Sequence, residues 1–131
     1  MGLTRDFKQT IVERVQRDPL FAQALFDEAL TLMLTGEPET ARMILRDLIN
    51  STLGFETLAE RTDRPAKSLH RMFSARGNPS MDNLTSVVGS LRDWLNLSIE
   101  VRSTRVAPKR STGSAASQKR RVPALAKTPA H

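Results

Sequence analysis

The stretch Leu58-Ala59-Glu60-Arg61-Thr62-Asp63-Arg64-Pro65-Ala66-Lys67-Ser68-Leu69-His70-Arg71-Met72 decides how this chain folds. A short helix fits residues 55–62, Asp63 interrupts it, and Pro65 opens a second over 65–74 with Leu69, Met72 and Phe73 inward. The turn between them is tight and calls for a left-handed backbone, which Gly, Asn or Asp tolerates. Asp63 stands at that position. Ala59 is small where the two helices must cross closely, and Leu58, Leu69 and Met72 are spaced to meet in a miniature core. Arg76-Gly77-Asn78-Pro79 is a strong turn cluster. Ser80 can cap a following helix whose apolar face is Leu84, Val87, Val88 and Leu91.

Helix signals also fill the chain before this stretch. Phe7, Ile11 and Val15, with Val12 beside them, predict a helix over 5–17. Asp18-Pro19 reads as an N-cap followed by proline at the first helical position, where a missing N–H costs nothing. Phe21, Leu25, Phe26, Ala29, Leu30, Leu32 and Met33 form the next apolar stripe, which Gly36 should end. Pro38 restarts the chain, and Ala41, Ile44, Leu45, Leu48, Ile49 and Thr52 keep a helical period up to Gly54. Beyond Leu91, residues 94–96 read as a connection. Leu97-Ser98-Ile99-Glu100-Val101 alternates apolar and polar, as a short strand does. A lone strand lacks a partner, so the same strand of a second molecule is the expected one. From Ser103 onward the apolar content collapses and disorder is expected. The predicted fold is all-α with a short C-terminal β-strand, divided into 1–36 (helical extension), 37–102 (the domain carrying the short helices) and 103–131 (basic tail).

Composition excludes more than it offers. The 131 residues contain no Cys and no Tyr, and only two His, His70 and His131. Disulfides, thiolate metal sites, cysteine nucleophiles and multi-histidine metal centres are therefore out of reach. A Ser-His-Asp hydrolase would rest on His70 alone, with no Ser or Asp constellation in view. No catalytic residue, metal or cofactor is expected. Apolar runs fall far short of the ~20 residues of a membrane helix, and the first residues lack a signal peptide's apolar core. Charge is the positive signal. The net +6 is uneven: residues 103–131 hold seven bases and no acid, leaving −1 for residues 1–102. Within that body, residues 1–54 carry −2, while 61–76 carry +4 from Arg61, Arg64, Lys67, Arg71 and Arg76 against Asp63. Two basic regions suggest a polyanion.

The quoted stretch, with Gly77-Asn78-Pro79-Ser80 and the Leu84–Leu91 helix after it, resembles an XRE/Cro-like (lambda repressor-like) helix-turn-helix domain. With the preceding helices and the 97–101 segment it looks like the antitoxin branch of addiction modules and its stand-alone regulator relatives. The resemblance spans roughly residues 39–101. It implies a dimer that binds double-stranded operator DNA, an autorepressor in many members, with a cognate toxin as a possible second partner. It also implies a bacterial, cytoplasmic, nucleoid-associated setting. By position, the base-reading slots fall on Ala66 and Lys67, with Ser68 beside them, and on Arg71 one turn later. Arg76 is placed to meet phosphate, His70 to sit at the surface or on phosphate, and Pro65 and Ala66 to offer apolar contact to a thymine methyl. Lys67 and Arg71 can both donate to guanine O6 and N7. Three positions depart from the pattern: Asp63 stands where Gly is usual, Arg64 where an apolar residue is usual, and Phe73 at an acidic slot. Arg64 is expected to bury its stem and send its head to solvent or phosphate.

Other readings stand beside this one. The bases on 61–76 could be only a solvated face, and the tail only a solubilising linker. The apolar, acidic N-terminal helices could instead cover a basic toxin, making neutralisation the main task. A sequence-indifferent, nucleoid-type DNA binder driven by the tail is the third reading.

Overall fold

The structure, a computed structural model, describes residues 2–107, with side chains from residue 9 onward. Six helices run among the described residues: α1 (Gly2–Arg17), α2 (Pro19–Leu34), α3 (Pro38–Ser51), α4 (Gly54–Thr62), α5 (Ala66–Met72) and α6 (Met81–Leu95). The starts of α2 and α6 follow from capping chemistry. The Asp18 carboxylate accepts from the N–H groups of Leu20 and Phe21 at 3.1 and 3.3 Å, and Pro19 takes the first helical position. The Ser80 hydroxyl accepts from the Asn83 N–H at 3.1 Å.

Three helix ends use one device. Gly36, Asp63 and Asn96 each have a positive φ, at 93°, 57° and 59°. In each case the next N–H folds back five residues, Glu37 to Leu32 O, Arg64 to Ala59 O and Leu97 to Arg92 O, at 2.8, 3.1 and 2.9 Å. This Schellman closure satisfies terminal carbonyls that the helix cannot. Asp63 thus takes the left-handed backbone that its place in the sequence predicts.

The same closure corrects the reading of the C-terminal segment. Trp94 and Leu95 are not a connection but the last turn of α6. Residues 97–101 form no strand, and no strand occurs among the described residues. Leu97 is half-buried because it follows the left-handed Asn96 and folds onto the core. Its burial is the apolar contact that accompanies a Schellman end rather than one face of a sheet. A strand needs a hydrogen-bonded neighbour, and the described residues provide none. Two boundaries also move: α3 ends at Ser51, and Gly54, with φ 82°, opens α4 instead of closing α3.

One apolar cluster joins the first three helices to the last three. It runs from Val15, Ala22, Phe26 and Ala29 through Leu45, Leu48 and Ile49 to Leu53, Phe55, Leu58, Leu69, Phe73, Val87 and Leu91. α2 lies along α3, α1 packs on both, and α4 packs on α3, α5 and α6. α5 leans chiefly on α4. The chain divides after Ile99. Residues 100–107 carry neither helix nor strand and are exposed. The tail expected to be disordered lies, from residue 108 on, outside the described residues.

The turn after α5 depends on a missing side chain. A Cβ on Gly77 would sit 1.9 Å from the carbonyl oxygen of Met72 and 2.6 Å from that of Arg71. Both are backbone atoms, so the chain itself would have to move. Gly77→Ala should therefore lower stability by at least ~1 kcal/mol, read as a fall in the urea midpoint. An unchanged midpoint would show that the turn can relax freely.

Candidate nucleic-acid interface

α4 and α5 are joined by a turn of three residues, Asp63, Arg64 and Pro65. Asp63 reverses the chain through its left-handed backbone. Pro65, at φ −65° and ψ 138°, sets the extended approach from which α5 starts. Its carbonyl accepts the first helical bonds from the Ser68 and Leu69 N–H groups at 3.0 and 3.1 Å. Leu69 then points into the core and is fully buried. The opposite side of α5 is thereby left to Lys67 and Arg71, both exposed and spaced one turn apart.

The other expected site residues take distinct places. Pro65 is exposed, and Ala66 and Ser68 are half-buried beside Lys67. Arg76 is exposed in the turn after α5. His70 is exposed but not free in orientation: its ring stacks on Phe55 of α4, with centroids 4.1 Å apart and planes at 27°. The stack leaves the imidazole edge accessible while fixing its plane. Among the described residues, no acid pairs with Lys67, Arg71 or Arg76. Their charge is not neutralised by the fold.

Arg64 behaves differently from expectation. Its stem is half-buried, as predicted, but its head is engaged with the protein. Nε donates to Asn83 Oδ1 of α6 at 2.5 Å, and Nη1 donates to the Thr62 carbonyl at 2.9 Å. The position explains this. Arg64 follows the left-handed residue of a Schellman end, where an apolar side chain ordinarily folds back on the helix. Its aliphatic stem takes that role, and the guanidinium turns to a terminal carbonyl that would otherwise lack a donor.

Four contacts of the region escaped the sequence reading. Asn83 sits at the third position of α6, where a capping box would place Glu or Gln, yet its side chain serves Arg64 instead. Arg42 reaches from α3 to the Ala75 carbonyl at 3.2 Å, beside Arg76. Phe55 supports His70. Trp94 of α6 lies under Arg61 of α4, with the guanidinium carbon 5.2 Å from the ring centroid. Only the capping position of Asn83 left a local signal. The other contacts join segments far apart in sequence.

The assembled surface is a short helix presenting two unpaired cations one turn apart, flanked by a stacked imidazole and an exposed arginine. It can offer several N–H donors to oxygen-rich anionic partners. No group of three or more His, Asp or Glu side chains among the described residues is placed to hold a metal ion, and no helix among them is long and apolar enough to cross a membrane. Compared with protein-family models, with curated proteins and with solved structures, the chain matches none.

Proposed function

We propose that the protein is a sequence-specific regulator of transcription that binds double-stranded DNA through a helix-turn-helix, with α4 lying across the backbone and α5 entering the major groove. The observation that carries this reading is the pair Lys67 and Arg71, exposed and unpaired on one side of α5 while Leu69 anchors the other. Arginine can bridge guanine O6 and N7, and lysine can donate to the same atoms. Pro65 and Ala66 border them as apolar partners for a thymine methyl, and Arg76 and His70 lie where phosphates would pass. Arg64 is left out of the contact set because its donors already serve Asn83 and Thr62.

The protein acts as a dimer in this reading. One seven-residue helix per molecule supplies few contacts, and paired half-sites supply twice as many. Trp94 and Ile99, 44% and 37% exposed near the end of α6, are apolar surface that a second copy could cover. Sequencing of duplexes retained from a random library tests the function. The expected product is a motif repeated about one helical turn apart.

The basic tail contributes non-specific affinity. Seven bases without an acid can each displace a counterion from phosphate, with about 0.9 log units of salt slope per contact. Deleting 103–131 should leave base preference intact, weaken binding to unrelated DNA and flatten the salt slope. An unchanged slope in the truncated protein would assign all phosphate contacts to the helical body.

A second reading is favoured by α2 and α3. Leu20, Leu34 and Met43 are 74%, 68% and 53% exposed, among the exposed acids Asp27, Glu28, Glu37 and Glu39. Such a surface suits a basic protein partner, as an antitoxin would need. Growth rescue on co-expression with the product of an adjacent reading frame separates this task from regulation alone.

A further inference from the structure

α5 has only seven residues and no side-chain cap at its start, and it leans chiefly on α4. A helix of two turns does not hold itself in water. Its attitude must come from its surroundings, and two arginines stand at its two ends. Before it, Arg64 links the Thr62 carbonyl of α4 to Asn83 of α6. After it, Arg42 of α3 holds the Ala75 carbonyl through Nη2, while its Nε is buried without a partner. Both side chains are half-buried, whereas Lys67, Arg71 and Arg76 are exposed. Basic residues of the region thus fall into two sets, one turned outward and one turned into the fold.

We infer that Arg64 and Arg42 are positioning residues: they fix the direction of α5 relative to α6 and α3, and through it the choice of bases, without touching DNA. The inference rests on the DNA-binding reading of α5 for its consequence in base choice. The chemistry suits the task. A guanidinium is planar and offers several donors in a fixed fork, so the Arg64 head can hold a backbone carbonyl and a side-chain amide at a set angle, and the Arg42 head fixes one carbonyl. The two Arg64 bonds are part-buried and so less screened by salt than a surface pair, while the bond from Arg42 to Ala75 lies at the surface. A head already bonded to a carbonyl and an amide displaces no counterion from DNA, so it adds nothing to the salt slope.

The test uses the full chain, three single variants and one double variant. Arg64→Met keeps the stem and removes the donors. Asn83→Ala removes the acceptor of Nε and keeps the charge. Arg42→Met removes the link to Ala75. Each should still unfold cooperatively. Each should speed amide hydrogen exchange across residues 66–72, and Arg64→Met combined with Asn83→Ala should add little to either alone. On duplexes selected by the wild type, each should lower the preference over unrelated DNA by roughly tenfold, about 1.4 kcal/mol, with the salt slope unchanged. Exchange at wild-type rates in the variants overturns the inference. So does a salt slope that falls by about one unit in Arg64→Met but not in Asn83→Ala, which would make Arg64 a phosphate ligand. Should the wild type prefer no duplex, the DNA-binding reading fails by itself, and hydrogen exchange alone decides whether the arginines hold α5.

Discussion

Phe73→Ala should destabilise the folded protein by ~3–5 kcal/mol, the range found when a large buried aromatic side chain is truncated. Phe73 closes α5 and is 1% exposed, in the cluster that holds Leu58, Leu69, Val87 and Leu91. The family resembled by the sequence places an acid at this slot, but here the ring fills core volume. Its loss removes apolar area and leaves a cavity bounded by helices that cannot all close in at once. Small domains retain only ~5–15 kcal/mol in total, so the variant should approach the threshold of folding. Urea unfolding followed by circular dichroism reads the effect as a lower midpoint at unchanged slope. A loss below ~1 kcal/mol would show that Phe73 is not part of the core.

Lys67→Ala and Arg71→Ala should act on binding and leave folding alone. Both residues are exposed, and neither is in an ion pair among the described residues, so surface truncation should change stability by no more than ~0.5 kcal/mol. Each should weaken binding to a selected duplex by ~1–3 kcal/mol and relax preference at one base position of each half-site. Fluorescence anisotropy at fixed salt reads the affinity. Wild-type affinity in both variants would remove α5 from the contact surface. The contrast with Phe73→Ala matters, because residues along one short helix and at its C-terminal cap are assigned opposite tasks by burial alone.

Much of this fold could be read from the sequence because its punctuation is local. Asp18-Pro19, Gly36 and Asp63 mark helix ends by backbone chemistry that each residue carries within itself. The stripe through Ala41, Leu45, Leu48 and Ile49 is periodic enough to name the buried face. The C-terminal segment misled for a physical reason. Five alternating residues satisfy the pattern of a strand, but pairing is a property of two segments, and Leu97 is buried by a helix-capping contact instead. Arg64 was readable as an anomaly, a charge where an apolar stem is usual. The destination of its head depended on Asn83, nineteen residues away. The link from Arg42 to Ala75 spans thirty-three residues and leaves no trace in local spacing. Exposed site residues such as Lys67 and Arg71 were legible by register once Leu69 was known to face inward.

The central claim is that α5 reads bases, and the most direct measurement is a comparison of selected motifs. Duplexes retained from one random library by the wild type and by Lys67→Ala should be sequenced side by side. The wild-type motif should contain two half-sites about one helical turn apart. The Lys67→Ala motif should match it except at one position in each half-site, where preference is lost. Recovery of no motif by the wild type, or of identical motifs by both proteins, would contradict the assignment of α5 as the element that recognises DNA.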